Sequence, residues 1–124
     1  MKATLRNWAL AAGLLLAWQA EAQSLPANAG LEIRQLFTAL ETSGCQFSRN
    51  DSWYDAAQAS AHLHRKYDYL LEHGKITSAE TFIALAASKS SMSGQPYLVR
   101  CGQSPAVTSQ AWFMARLRAL RAHR

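Results

Sequence analysis

The spacing of apolar residues along the chain predicts four helices. In the first helix, apolar side chains recur at the i, i+3, i+4 and i+7 positions of a single helical face, namely Ile33, Leu36, Phe37 and Leu40. Gly44 is of the residue type that most often follows a helix end. Residues 45–47 are predicted to be extended, and residues 49–51 are predicted to form a turn.

The second predicted helix begins with Ser52 as its N-cap and runs to His73, where Gly74 stops it. Its buried stripe is predicted at Trp53, Ala56, Ser60, Leu63, Tyr67, Leu70 and Leu71. The opposite stripe combines aromatic with polar side chains: Tyr54, Gln58, His62, Arg65 and Tyr69. If this second stripe is exposed, it is typical of a recognition surface. If it is covered, the helix is central and packs on two sides.

Two shorter helices and one strand complete the pattern. Thr77 is predicted to cap the third helix, with a glutamate three positions further on completing a capping box. The serine-rich residues 88–94 are predicted to form a loop, because serine side chains compete for backbone hydrogen bonds. Residues 95–101 alternate as in a strand, and Thr108 or Ser109 is predicted to cap the last helix.

The N-terminal residues have the pattern of a signal peptide. Two basic residues, Lys2 and Arg6, precede the uncharged apolar run of residues 8–18, and Ala20-Glu21-Ala22 supplies a small-x-small cleavage pattern. The apolar run is shorter than the roughly 20 residues that a membrane-spanning helix needs. The alternative is a buried N-terminal helix.

The domain organisation follows from this pattern. We predict a signal peptide over residues 1–22, cleaved near Ala22, then a flexible leader over 23–30 and a single helical domain over 31–124. Cleavage of this kind places the protein in the periplasm or in the secreted fraction.

The two cysteines indicate how the domain is held together. Cys45 and Cys101 lie 56 positions apart, which fits neither a CxxC redox pair nor a zinc knuckle. In an oxidising compartment they are predicted to form a structural disulfide, and free or intermolecular thiols are the alternative. The disulfide would bring their two segments together as a strand pair. The predicted fold class is therefore mainly α: a small four-helix domain with a short two-stranded β pairing stapled by one disulfide.

The charge of the chain is concentrated in its C-terminal helix. The 124 residues include 13 Lys or Arg and 8 Asp or Glu, a formal net charge of +5. Residues 23–110 contain seven basic and seven acidic residues, so the excess lies on the predicted helix 108–124, in Arg116, Arg118, Arg121 and Arg124. This basic helix suggests binding to anionic lipid or lipopolysaccharide. Alternatively, its cations only stabilise the helix dipole and keep the helix soluble. Nucleic acid is the least favoured polyanion for a secreted protein.

The sequence contains no motif for nucleophilic catalysis or for zinc. GxSxG, SxxK and HExxH are all absent, so neither catalytic residues nor a metal site nor a cofactor is predicted. One enzymatic alternative remains open, because catalytic triads are assembled in space rather than in sequence. In that alternative the protein is an envelope hydrolase that uses His62 as base with a serine of the 88–93 loop.

An ordered set of residues resembles the YfeK-like family of uncharacterised bacterial periplasmic proteins, a domain of unknown function. The resemblance covers about residues 31–101 and rests on Arg49-Asn50, Tyr54, Ala59-x-x-His62-Leu63-x-x-Lys66, Ala79-Glu80-x-Phe82-Ile83 and Ala87-Ser88-x-Ser90-Ser91-x-Ser93-Gly94-x-Pro96-Tyr97. It implies a periplasmic location and a single, mostly helical domain. It supplies no activity, substrate or catalytic residue.

The sequence thus favours a secreted or periplasmic binding or interaction module without enzymatic activity. The expected partner is an envelope component: carbohydrate, peptidoglycan or another protein. The candidate binding residues are Asn50, Tyr54, His62, Arg65, Lys66, Glu80, Ser90, Ser91, Ser93 and Tyr97. These side chains are predicted either to form a satisfied polar network or to line a small-ligand pocket.

Overall fold

The computed structural model describes residues 25–124, which form four helices and a small antiparallel sheet. The helices are α1 (Ala27–Glu41), α2 (Ala56–Glu72), α3 (Ala79–Leu85) and α4 (Ser109–Ala122). The strands are β1 (Gln46–Arg49), β2 (Ser52–Tyr54), β3 (Leu98–Arg100) and β4 (Val107–Thr108). The predicted mainly α fold with a minor β part is confirmed. The predicted signal peptide, residues 1–22, lies outside the described residues.

The sheet joins the segments next to the two cysteines, as the sequence predicted. β1 pairs antiparallel with β3, with Gln46 opposite Arg100, and a Cys45–Cys101 disulfide closes the adjacent end of the pair. The sheet is larger than the predicted two strands, because β2 and β4 add to its edges in the order β2-β1-β3-β4. The two cysteines are 56 positions apart in sequence, so the disulfide links two distant segments of the chain at one end of this small sheet.

The prediction that Ser52 caps the second helix is wrong. Asn50 and Asp51 both adopt positive φ, 51° and 68°, which is the backbone of a tight two-residue hairpin turn. The hairpin places residues 52–54 in β2, so α2 begins only after Asp55. Asp55 accepts a hydrogen bond from the backbone N–H of Gln58 at 2.8 Å and forms a full capping box with it. The predicted end of this helix, at His73 and Gly74, is confirmed.

Two other predicted boundaries also move. α1 begins at Ala27, inside the predicted flexible leader of residues 23–30, because Ala29 is buried in the core and extends the apolar face by one turn. α3 is capped by Ser78 with Thr81 rather than by Thr77 with a glutamate. The predicted cap of α4 at Thr108 is confirmed, since its hydroxyl accepts from the backbone N–H of residue 111.

The core lies between α1, α3, α4 and the inner face of the sheet. Its largest fully buried side chains are Phe82, Phe113, Ile33, Leu36, Leu40, Ile83, Leu117 and Val99. α2 contributes less than its predicted stripe suggested, because only Ser60 and Leu63 of that stripe are fully buried. α2 therefore lies at the edge of the core, and Gln58, His62 and Arg65 of its aromatic and polar stripe face a cavity, whereas Tyr69 is exposed.

A buried carboxylate ties the two ends of the domain together. Glu32 of α1 is only 3% exposed, and Arg121 of α4 contacts both of its carboxylate oxygens at 2.9 and 3.0 Å. The same guanidinium bonds Glu80 of α3 at 2.8 and 3.0 Å, and Arg124 pairs with Glu32 as well. Bidentate Arg–carboxylate pairs are the geometrically specific form of ion pair. We call this group of four residues the Glu32 clamp.

Within residues 25–124, no helix has both the length and the apolar character that crossing a membrane requires.

Replacing both cysteines by alanine is expected to lower the free energy of unfolding by about 4 kcal/mol, because the unfolded chain loses a long closed loop. Urea denaturation of the oxidised wild type and of the double variant measures this difference. Under reductant the two proteins should become equally stable. A double variant as stable as the oxidised wild type would contradict the structural role of the disulfide.

Replacing Arg121 and Arg124 together by alanine leaves the Glu32 carboxylate buried without its guanidinium partners. Because both arginine side chains are themselves nearly half exposed, their removal also admits water to the carboxylate, and we expect a loss of about 1–3 kcal/mol of unfolding free energy. The matched control is Arg118→Ala, an exposed arginine of the same helix, which should change stability by about 0.5 kcal/mol or less. Equal stability of the control and the double variant would show that the clamp contributes nothing.

Candidate functional site

A cavity of about 280 Å³ opens between the β1–β2 hairpin and the first half of α2. Its lining residues are Phe47, Ser48, Arg49, Tyr54, Gln58, Ala59, Ala61, His62, Leu63, Arg65, Tyr97 and Ser109. Four of the predicted binding residues, Tyr54, His62, Arg65 and Tyr97, are therefore brought together. The predicted stripe of α2 supplies three of the polar side chains that line it, and the cavity is thus the place where that stripe meets the sheet.

The register of the sheet explains how the polar wall of the cavity is built. The β1–β3 pairing ends with Ser48 opposite Leu98, so Arg49 and Tyr97 are the next residues at the same end of the two strands. Phe47 lies two residues before Arg49, so both side chains point to the same face of the sheet. That face looks towards His62 on α2, and three elements distant in sequence contribute to one cluster.

The Arg49–His62 contact indicates which nitrogen of the imidazole ring carries the proton. Arg49 Nη1 lies 2.7 Å from His62 Nδ1 and 3.4 Å from Nε2, and a guanidinium can only donate. Because Nδ1 is the nearer nitrogen, we assign it as the acceptor, which places the proton of the neutral ring on Nε2. Nε2–H in turn donates to the Tyr97 hydroxyl oxygen at 3.1 Å.

The Tyr97 hydroxyl receives a second hydrogen bond from Lys66. Lys66 Nζ donates to Tyr97 Oη at 3.3 Å and to the backbone carbonyl of Lys89 at 2.7 Å, and it also lies 5.2 Å from the centre of the Tyr97 ring. Lys66 thereby ties α2 to the serine-rich loop. Arg49, His62, Lys66 and Tyr97 form one hydrogen-bonded chain, which we call the relay.

The surroundings of His62 disfavour its protonated form. Burial is the largest cause that lowers the pKa of His62, followed by the positive charges of Arg49, Lys66 and Arg65, and together they bring it from 6.5 to about 4. Burial also lowers the pKa of Lys66, followed by the nearby charge of Lys89. Burial raises the pKa of Tyr97. The relay therefore holds a neutral imidazole at physiological pH.

The serine-rich loop is fastened beside the cavity without contributing to its lining. The Ser93 hydroxyl donates to the Asn50 side chain at 2.6 Å, so the loop is attached to the β1–β2 turn. Ser90 Oγ accepts from the backbone N–H groups of Met92 and Ser93, which closes the loop on itself. Asn50, Ser90 and Ser93 thus support the site from outside its lining, whereas Ser91 is an exposed residue of the same loop.

One predicted site residue belongs elsewhere. Glu80 is engaged by Arg121 in the Glu32 clamp, and this hydrogen bond is the main cause that lowers the pKa of Glu80. Conversely, Arg49 was not among the predicted binding residues. The sequence predicted it in the turn of residues 49–51, whereas it is the last residue of β1, and only the folded structure shows that its side chain meets His62.

The geometry does not assemble a serine nucleophile with a histidine base. Both ring nitrogens of His62 are occupied by Arg49 and Tyr97, and the Ser88 and Ser93 hydroxyls donate to Ile83 and Asn50 respectively. No serine of residues 88–93 hydrogen-bonds to His62 in the described part of the chain. A ring with a pKa of about 4 is also a weak general base at neutral pH.

The basic helix carries fewer free cations than its sequence suggested. Arg121 and Arg124 are paired in the Glu32 clamp, and Arg116 lies 5.1 Å from the centre of the Trp112 ring. A second cavity of about 390 Å³ adjoins the clamp and is lined by residues including Leu31, Glu32, Arg116 and Arg124. Charges of opposite sign partly neutralise each other there, whereas the charged residues that line the first cavity are all positive.

Among residues 25–124, no group of three His, Cys, Asp or Glu side chains could hold a metal ion.

The lowered pKa of His62 makes the stability of the fold depend on pH in a defined window. The unfolded chain takes up this proton near pH 6.5 and the folded chain only near pH 4, so acidification from 6.5 to 4 favours unfolding. We expect a loss on the order of 2–3 kcal/mol from this group across the window. In His62→Gln this part of the pH dependence should vanish, whereas the control Gln103→Ala should keep it. Urea denaturation between pH 4 and 7 measures the difference, and parallel profiles for all three proteins would contradict the assignment.

Comparison with known proteins gives a family but no activity. No curated protein and no solved structure matches the chain. A family of unknown function, DUF5329, matches residues 27–121, which include every helix and strand of the domain except the last residue of α4. The chain therefore belongs to the family of unknown function DUF5329.

Proposed function

We propose that the protein is a non-enzymatic binding module of the periplasm or the secreted fraction, and that its ligand occupies the cavity beside the relay. The observation that carries this proposal is a concave site whose polar atoms are held in fixed directions by hydrogen bonds, with apolar side chains beside them. Such a combination is the usual build of a small-molecule site. A preorganised site loses little freedom when its ligand binds.

The envelope location is supported by two features of the chain. The N-terminal residues match the charge, length and cleavage pattern of a signal peptide. The Cys45–Cys101 disulfide is of the kind that persists in oxidising compartments. The resemblance to the YfeK-like periplasmic proteins points the same way.

The size of the cavity limits the ligand. A volume of about 280 Å³ accommodates a small molecule or the exposed end of a larger one. Among the envelope components expected as partners, peptidoglycan fragments combine a sugar with short peptide ends and suit such a site. No specific contact favours the hydrolase alternative. Binding of lipid by the basic helix would depend mainly on Arg116 and Arg118, because Arg121 and Arg124 are already paired.

A cavity-blocking substitution tests this proposal. Ala61 lines the cavity and is exposed on α2, so Ala61→Trp should fill the cavity without disturbing the core. The matched control is Ala84→Trp, which places the same side chain on an exposed position of α3 away from the lining. Muropeptides released from peptidoglycan by muramidase serve as the probe, and native mass spectrometry counts the bound fraction. We expect the wild type and the control to bind and Ala61→Trp to lose at least 10-fold in affinity. Equal binding by all three proteins would place the binding site elsewhere.

A further inference from the structure

We infer that the cavity beside the relay recognises an oxyanion, a carboxylate or phosphate group carried on an apolar or aromatic body. This inference rests on the proposed function and specifies the chemistry of its ligand. It follows from the donors that remain unused in the cavity, from the sign of its charge and from its apolar wall.

The first step concerns the cations that line the cavity. Arg49 and Arg65 both lie in its lining, and in the described part of the chain neither forms a salt bridge with an acidic side chain. The contrast with Arg121 is direct, because that arginine binds two carboxylates within the fold. Arg49 uses Nη1 on His62 and lies 5.3 Å from the centre of the Tyr54 ring, which holds the guanidinium in place. Its other N–H groups form no hydrogen bond with residues 25–124.

The second step concerns the Tyr97 hydroxyl. Its oxygen already accepts hydrogen bonds from His62 Nε2 and Lys66 Nζ, so its own proton is left to donate. Within residues 25–124 this O–H donates to no acceptor. Arg49 and Tyr97 therefore present unused donors to one cavity. The assigned tautomer of His62 accepts from Arg49 and donates to Tyr97, which leaves the hydroxyl proton of Tyr97 for a ligand.

The third step concerns the charge around the site. No aspartate or glutamate is among the lining residues. Arg49 and Arg65 line the cavity from β1 and α2, and Lys66 stands behind Tyr97 with Lys89 of the loop close to it. Donors within a cavity that carries only positive charge favour an oxyanion over a neutral or cationic group. After burial, the charges of Arg49, Lys66 and Arg65 are the causes that lower the pKa of His62.

The fourth step concerns the rest of the ligand. Phe47, Ala59 and Leu63 form an apolar wall beside the donors, and the Tyr54 ring closes the same side. An inorganic anion alone would leave this wall in contact with water. An anion attached to an aromatic ring or a short aliphatic chain would cover the wall and gain its hydrophobic contribution.

Four matched probes separate the possible chemistries: benzoate, phenyl phosphate, the neutral isostere benzamide and the cation benzylammonium. Binding is measured by NMR titration of the wild-type protein at pH 6.5, following the His62 imidazole and the Tyr97 ring. We expect benzoate or phenyl phosphate to bind at least 10-fold more tightly than benzamide, and benzylammonium more weakly still. A bound anion should also raise the pKa of His62, because it offsets the surrounding cations.

Two variants test the named donors. Arg65→Gln removes an exposed cation of the lining without touching the relay, and it should weaken the tighter-binding anion 3- to 10-fold. Tyr97→Phe removes the hydroxyl donor and should weaken the same anion by a similar factor. Arg118→Gln, on α4 and outside the cavity lining, is the control and should bind as the wild type does. Unchanged affinity in both cavity variants would overturn the inference.

The outcomes also separate this inference from the function beneath it. Tighter binding of benzoate assigns a carboxylate ligand and tighter binding of phenyl phosphate assigns a phosphate ligand, and either supports the oxyanion. If benzamide or benzylammonium binds as well as the anions in the same cavity, the oxyanion is overturned while the binding function stands. If no probe of any charge perturbs His62 or Tyr97, and muropeptides also fail to bind, both are overturned.

Discussion

The antiparallel pairing of β1 with β3 is the constraint on which the site depends. Its last pair is Ser48 with Leu98, next to Arg49 and Tyr97, and the Cys45–Cys101 disulfide holds the other end of the same strand pair. Once these two side chains face α2, His62 is the group that joins them. The disulfide therefore links the stability of the fold to the geometry of the cavity, because it closes the strand pair that leads to Arg49 and Tyr97.

Local patterns predicted those parts of the fold that depend on local interactions. The apolar spacing around Leu36, the stop at Gly74 and the Thr108 cap were all confirmed, since each rests on residues within a turn or two. The predicted start of α2 was wrong, because the spacing of apolar residues does not reveal the hairpin that the left-handed backbone of Asn50 and Asp51 forms. The contact of Glu80 could not be found from local patterns either, because its partner Arg121 is 41 positions away.

The distribution of charge changes its meaning once the chain is folded. The sequence shows a neutral body and a basic C-terminal helix, which suggests that this helix binds anionic lipid or lipopolysaccharide. In the fold, Arg121 and Arg124 of that helix are paired with carboxylates. The cations that line the cavity beside the relay come instead from the neutral body, in Arg49 and Arg65. The distribution of charge along the sequence therefore points to the C-terminal helix, whereas the positive charges in the folded structure point to the cavity beside the relay.

The account depends on the neutral His62 ring with its proton on Nε2, because that tautomer frees the Tyr97 hydroxyl proton for a ligand. The most direct measurement is the ¹⁵N NMR spectrum of the His62 imidazole near pH 6. The account predicts an unprotonated Nδ1 that accepts from Arg49, together with a protonated Nε2, and Arg49→Gln should remove this preference. A protonated Nδ1 in the wild type, or an imidazolium ion at that pH, would contradict it.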